Sequence, residues 1–328
     1  MDYVSEKLRK LGLAPRLCGE AEHPALVAQF RSGGVALSGH LDTVPHGTGW
    51  SRELGDVVDG GMYGRGTCDM KGGCAAILLA AEDMVQGNVP FSVCFTTDEE
   101  TTMLGAAAAV KDQAIASAPA VLIAEPSGFD IVVKEKGLLQ FSMRTKGVSA
   151  HASMPDLGEN AIVKMVRLLT KMDDLQKIPS DPVAEMTMSV DTVRGGTRIN
   201  VIPADCEVEI DVRYPPDMDP EKVLGLVRDR IGTDGYDLKI LHQLDPVETD
   251  PDAIPVRTLA ELIGPSARTS SVPYATEMVM FKAGNPTLMV CGPGDPKVCH
   301  SIGESIRIAD VVRAAELYTE FCSRMTSA

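Results

Sequence analysis

No Cys-x-x-Cys pair occurs among the eight cysteines at positions 18, 68, 74, 94, 206, 291, 299 and 322. That spacing excludes a zinc knuckle and a thioredoxin-like redox motif, and leaves reduced thiols packed as small apolar side chains. No stretch approaches the ~20 apolar residues of a transmembrane helix. The opening MDYVSEKLRKLG lacks an apolar signal core. Its Val4, Leu8 and Leu11 recur at helical spacing, so an amphipathic helix and a cytoplasmic protein are expected. Positive charge is scarce: 31 Lys+Arg stand against 46 Asp+Glu, a formal net charge of −15. Such a surface repels phosphate backbones and anionic lipid, so neither nucleic acid nor a membrane is expected as a partner. The Gly64–Gly73 loop is glycine-rich but lacks the Gly-x-x-x-x-Gly-Lys-Ser/Thr order of a phosphate cradle. No Gly-x-Gly-x-x-Gly follows a first strand either, which argues against hydride transfer with a dinucleotide.

Alternating apolar runs and helical patterns fill the chain, whose 328 residues suit about two domains. Ala25–Phe30 and Val35–Ser38 read as strands, and Gly72–Gln86 as a helix with Ile77, Leu78, Ala81 and Val85 on one side. Phe91–Thr97 follows as a strand, Met103–Asp112 as a helix and Ala120–Ala124 as a strand. This alternation predicts an α/β sheet covered by helices on both faces. The pattern changes after Val133. Phe141 and Met143 alternate with polar neighbours, Glu159–Asp174 is amphipathic, and Met186–Val193 and Cys206–Arg213 read as half-buried strands. With Glu221–Ile231 as a helix and Tyr236–His242 as a strand, the order β-α-β-β-α-β predicts a ferredoxin-like α+β layer. A helix around Val256–Ile263, a strand near Pro286–Cys291 and a closing helix around Ile308–Met325 then resume the α/β pattern. The expected organisation is one discontinuous domain, 1–136 and 246–328, interrupted by an inserted domain, 137–245.

Candidate metal ligands recur just after the predicted strands, where open α/β sheets place their sites. They are His40 and Asp42 in Ser38–Pro45, Asp69 before a helix, Asp98-Glu99-Glu100, Glu125 in Ala124-Glu125-Pro126, and Asp295 with His300 in the last segment. Singly each is weak: a histidine after a strand is more often a structural hydrogen-bonder, and adjacent carboxylates are usually a solvated pair. Together they form an imidazole and carboxylate set that suits two divalent ions, zinc first and cobalt or manganese as alternatives, sharing one carboxylate. A further carboxylate, free of metal, would move a proton from water to the leaving nitrogen. Cys68 and Cys299 sit beside Asp69 and His300. Neighbours on extended backbone point opposite ways, so both are read as packing residues. His23, His46 and His242 match no motif, and Trp50 is expected to pack under the loop after His40–Pro45.

The segments His40-Leu41-Asp42-Thr43-Val44-Pro45 and Gly64-Arg65-Gly66-Thr67-Cys68-Asp69-Met70-Lys71-Gly72-Gly73 resemble the co-catalytic zinc amidohydrolases and peptidases. That family includes acetylornithine deacetylase, succinyl-diaminopimelate desuccinylase, aminoacylase and glutamate carboxypeptidase. The resemblance runs from about Val35 to the C-terminus and implies a zinc-peptidase-like catalytic domain: a mixed central sheet flanked by helices, with an inserted ferredoxin-like dimerisation domain. It makes Asp69 the bridging ligand, His40 and Glu125 the rest of one metal site, and Glu100 and His300 the rest of the other. It makes Glu99 the general base and Asp42 the carboxylate that orients His40.

Lys146–Ser153 resembles the family segment whose histidine crosses a dimer interface, so His151 is expected to donate to the oxyanion in a homodimer. Asn200 and Arg213 match substrate-binding positions, Arg213 by a donor fork suited to a carboxylate. An internal salt bridge to Glu209 or Asp211, on the same strand face, is the competing role for Arg213. Tyr274-Ala275-Thr276-Glu277, followed by Asn285-Pro286-Thr287-Leu288, looks closest to the acetylornithine deacetylase branch. Glu277 there is expected to meet a substrate amine, or else to be a helix N-terminal carboxylate.

The implied activity is deacetylation of N-acetylornithine, a step of arginine biosynthesis. Desuccinylase, amino-acid-carrier hydrolase and dipeptidase or carboxypeptidase activities remain alternatives, as does a catalytically silent binding homologue. Relatives also carry a longer helix and a Ser-x-Pro segment ahead of Met1–Gly12, abbreviated here in a region without proposed ligands.

Overall fold

The structure is a computed structural model describing residues 1–285 and 287–327. Pro286, the first residue of the strand expected near Pro286–Cys291, lies outside the described residues, as does Ala328. The chain divides into two compact units: Met1–Val133, Thr249–Ser270 and Thr276 onward form the first, and Lys134–Glu248 with Ser271–Ala275 the second.

The sheet of the first unit runs in the spatial order Arg16–Cys18, Ala25–Phe30, Phe91–Thr96, Val35–His40, Val121–Ile123, Leu288–Val290 and then Ile131–Glu135. Its four central strands, from Phe91–Thr96 to Leu288–Val290, are parallel, and the pairs flanking them are antiparallel. A mixed sheet flanked by helices is therefore present, as the family resemblance implies. Parallel strands are covered on both faces and read as continuous apolar runs; every residue of VALSGH and FSVCFT is buried.

The helix Gly72–Gln86 packs against these strands and against the closing helix Ile308–Ser327. Its alanine- and leucine-rich sequence favours helix, and it stops at Gly87-Asn88, where Asn88 turns into the left-handed region with φ 59°. Tyr318 of the closing helix is fully buried and donates its hydroxyl to the Cys291 carbonyl at 2.8 Å, fixing that helix to the end of the Leu288–Val290 strand. The helix expected over Met103–Asp112 is shorter, Leu104–Ala109, and a separate short helix, Gln113–Ala116, follows it. Asp112 has extended backbone and accepts from Ala114 N at 2.9 Å, so it caps the second piece.

The second unit holds a four-stranded antiparallel sheet in the order Thr187–Gly195, Asp205–Tyr214, Gly137–Lys146, Asp237–Leu244. With helices Ala161–Lys171 and Pro220–Ile231 between the strands, this is the ferredoxin-like β-α-β-β-α-β order. Asp205–Tyr214 alternates half-buried and buried residues. Its Val208, Ile210 and Val212 pack with Phe141, Met143, Met165, Val223 and Val227 of the neighbouring elements. Asn160 and Asp219 cap the two helices, accepting from Val163 N at 3.1 Å and Lys222 N at 2.8 Å.

Candidate metal centre

The loops that leave the parallel strands of the first unit gather the acidic and imidazole side chains. His40 ends its strand, Asp98-Glu99-Glu100 follow Phe91–Thr96, Glu125 follows Val121–Ile123, and His300 lies beyond Leu288–Val290. Asp69 precedes the helix Gly72–Gln86 in non-helical backbone, φ −116° and ψ 100°.

His40 is fully buried, and its two ring nitrogens face different partners. Nδ1 lies 3.2 Å from the Asp42 backbone carbonyl oxygen and 3.4 Å from Asp42 Oδ1. Nε2 lies 3.0 Å from Asp69 Oδ1 and 3.3 Å from Glu125 Oε1. The other oxygen of Asp69, Oδ2, faces His300 Nε2 at 3.2 Å, and that nitrogen is also 3.1 Å from Glu100 Oε2. One carboxylate thus spans two imidazoles. Asp42 further accepts from the backbone N–H of Glu99 at 3.3 Å and of Glu100 at 3.2 Å, so it holds the loop that carries both glutamates as well as the His40 ring. Asp98 anchors the same loop by accepting from Leu104 N at 2.9 Å and Gly105 N at 3.1 Å.

Electrostatics set these carboxylates apart. Burial, reinforced by Glu125, pushes Glu99 well above the usual carboxylate range. Burial raises Glu125 as well, against the pull of His40. Burial opposes charge on His40, but Glu125, Asp42 and Asp69 outweigh it and raise the ring's pKa well above its ordinary value. A site that crowds carboxylates behind buried walls demands positive charge.

The donor atoms meet that demand in two overlapping groups. His40, Asp69 and Glu125 offer atoms within 4.8 Å of one another, and so do Asp69, Glu100 and His300. His40, Glu99 and Glu100 form a third combination. Nitrogen and oxygen donors with a shared carboxylate fit a pair of zinc-like ions, and no thiolate is needed.

A comparison with protein families matches residues 36–324 to Peptidase family M20/M25/M40. The chain belongs to this family. An acetylornithine deacetylase of Myxococcus xanthus is 31% identical over 310 residues, covering 88% of this chain and 80% of that protein. Among solved M20-like folds, a Staphylococcus aureus tripeptidase superposes with a TM-score of 0.81 at 21% identity, over 100% of this chain and 92% of that one. A Bacillus subtilis protein described as a dinuclear metal binding peptidase of the M20 family gives 0.71 at 16% identity, over 99% and 91%. This M20 chain is accordingly an enzyme of a family that acts on amide bonds.

The remaining predicted residues fall in several places. Glu277, in the first unit, has no exposed surface. Burial lifts its pKa to about 7 against the neighbouring Thr96 hydroxyl, and among the described residues its oxygens have no partner with hydrogen-bond geometry.

His151, Asn200 and Arg213 belong to the second unit. There His151 is exposed, accepts from Ser153 N at 3.2 Å, and pairs with Val201 in an isolated bridge next to Asn200. Arg213 Nε donates to Asp211 Oδ1 at 2.8 Å. Trp50 stacks on His46 with ring centroids 5.0 Å apart and donates to the His46 carbonyl at 2.8 Å.

Two residues that sequence reasoning passed over also serve the centre. Glu304 is fully buried and pairs with Arg65 Nη1 at 2.6 Å. Its other oxygen accepts from the backbone N–H of Cys68 at 3.0 Å and of Asp69 at 3.1 Å. Arg65 in turn reaches the His300 carbonyl at 3.3 Å. The signal available was an acid four residues past His300 and an arginine inside the Gly64–Gly73 motif.

Proposed function

We propose that this M20 chain hydrolyses the amide of an N-acylated amino acid, with N-acetylornithine, cleaved to ornithine and acetate, as its substrate. The observation that supports the reading most is the pair of imidazoles facing the two oxygens of Asp69, with Glu125 beside one and Glu100 beside the other. The substrate comes from the likeness to the M. xanthus acetylornithine deacetylase.

In this reading His40, Asp69 and Glu125 would hold one divalent ion and Asp69, Glu100 and His300 the other, zinc being best suited and cobalt or manganese compatible. Such ions supply Lewis acidity toward the amide carbonyl and toward water. Glu99 takes a proton from the attacking water and hands it to the leaving nitrogen. Asp42 keeps the His40 ring turned so that Nε2 faces Asp69 and Glu125.

His151 donates to the oxyanion from a second copy of the chain, Asn200 and Arg213 bind the substrate's polar groups, and Glu277 receives its amine. Arg213 must then exchange its bond with Asp211 for the substrate carboxylate. A homodimer is consistent with the second unit's own surface. Thr187–Gly195 is an edge strand with Val193 67% exposed, and Val166 on the helix Ala161–Lys171 is 54% exposed. We place the enzyme in the cytoplasm, in arginine biosynthesis.

The test is metal-reconstituted protein assayed against N-acetylornithine, N-succinyl-diaminopimelate and a series of dipeptides, with Glu99→Ala in parallel. The expected result is the highest kcat/KM on N-acetylornithine, and a kcat lowered about 10²–10⁴-fold in Glu99→Ala with its metal retained. A higher kcat/KM on a dipeptide or on the succinyl compound overturns the substrate. An undiminished kcat in Glu99→Ala overturns the base.

A further inference from the structure

Cys68 and Cys299, expected to be separate packing residues, face each other with their sulfurs 3.8 Å apart across 231 positions of sequence. Both thiols also point at the Asp295 carbonyl oxygen, at 3.5 Å and 3.9 Å. Gly294, with φ +102°, leaves the room this requires, since a Cβ there would stand 2.5 Å from the Cys68 sulfur. The two thiols differ in access: Cys68 is fully buried and Cys299 is partly exposed. Each directly precedes a residue of the candidate metal centre, Cys68 before Asp69 and Cys299 before His300. The loops on either side are already tied down, the Asp69 N–H to Glu304 and the His300 carbonyl to Arg65.

We propose that Cys68 and Cys299 form a modification site for peroxides, a dithiol that closes to a disulfide and thereby displaces Asp69 and His300. Cys299, the accessible thiol, attacks a peroxide oxygen. The O–O bond breaks, the sulfur gains a hydroxyl, and one water leaves with the thiol proton. The Cys68 sulfur then attacks the Cys299 sulfur. An S–S bond forms, the S–O bond breaks, and the hydroxyl departs with the Cys68 proton as a second water. Two thiols and one hydrogen peroxide thus give one disulfide and two waters, with the thiols oxidised and the peroxide reduced.

Closing the sulfurs from 3.8 Å to the ~2.0 Å of a disulfide requires them to approach by about 1.8 Å. That movement has to be taken up by the backbone on which Asp69 and His300 directly follow the two cysteines, against the hydrogen bonds to Glu304 and Arg65. Asp69 and His300 both belong to the Asp69–Glu100–His300 group, so this group loses its geometry. The effect on metal binding rests on the metal-centre reading; formation of the disulfide does not.

The experiment treats metal-free and zinc-loaded protein with hydrogen peroxide, maps peptides without reduction by mass spectrometry, and measures zinc affinity by chelator competition. The expected result in metal-free protein is a linked Cys68–Cys299 peptide, zinc affinity at the weaker site lowered about tenfold or more, and recovery with dithiothreitol. Zinc-loaded protein should link more slowly. Cys299→Ser, and Cys68→Ala as a second variant, should keep their zinc affinity through the same treatment. Sulfinic or sulfonic acid on Cys299 with Cys68 still a free thiol overturns the dithiol. A linked peptide with unchanged zinc affinity, or an equal loss of affinity in Cys299→Ser, overturns the coupling to the metal centre.

Discussion

Identical carboxylates around His40 do different work because their surroundings differ. Asp42 fixes the Nδ1 edge of the ring and two backbone N–H groups, Asp69 spans both histidines, and Glu99 is held by its backbone while burial pushes its pKa up. Glu304 touches neither histidine, yet it anchors the Asp69 loop through two backbone N–H groups and, through Arg65, the His300 carbonyl. Loss of a partner that orients metal ligands typically costs about 10–100-fold in affinity. Glu304→Gln keeps an acceptor for the two N–H groups but leaves the Arg65 charge buried and unpaired. Chelator competition should therefore show zinc binding weakened about 10–100-fold. Glu304→Ala should also lose about 3–5 kcal/mol of stability in denaturant titration. Unchanged zinc affinity in both variants contradicts the anchoring role.

At the scale of elements, the site depends on how closely the helix Gly72–Gln86 approaches the sheet. A Cβ on Gly73 would lie 2.2 Å from the Ala124 carbonyl oxygen, on the loop that delivers Glu125. Alanine is normally the better helix former, by about 1 kcal/mol; here Gly73→Ala should instead destabilise by about 1–3 kcal/mol through overpacking. Urea unfolding measures this, and a stabilised variant would contradict the close approach.

Elements of the sequence that carry a strong period were legible: Ala25–Phe30 and Gly72–Gln86 are found at the predicted bounds. The strands Val57–Val58, Gly61–Tyr63 and Ser305–Arg307 were not, because two or three residues are too short to show a period. That acidic and imidazole side chains would gather was legible because strand-end loops of a parallel sheet converge; the particular set His40, Asp69, Glu100, Glu125 and His300 came from the family resemblance. Their anchor Glu304 and the sulfur pair were not, since both depend on contacts spanning more than 230 positions. Local alternation placed Cys68 and Cys299 on packing duty; the turn at His300, with φ 60°, is what an extended-backbone argument misses.

At the scale of the whole molecule, the acidic chain carries a formal charge of −15, and part of that excess is spent inside one cluster that divalent cations would neutralise. If His151 acts from a second copy, two inactive variants should repair one another. Mixing Glu99→Ala with His151→Ala at equal amounts, under conditions that exchange subunits, makes half the dimers mixed. Each mixed dimer has one complete site, so activity should return to about a quarter of the parent in a two-fold symmetric dimer. Activity that stays at the level of the separate variants contradicts action in trans.

Anomalous diffraction at the zinc edge from zinc-loaded crystals locates the ions themselves. A dinuclear centre around Asp69 gives two peaks about 3.5–4 Å apart, one among His40, Asp69 and Glu125 and the other among Asp69, Glu100 and His300. No peak beside Asp69, or a single peak that leaves one of the two histidines without a metal, would contradict it.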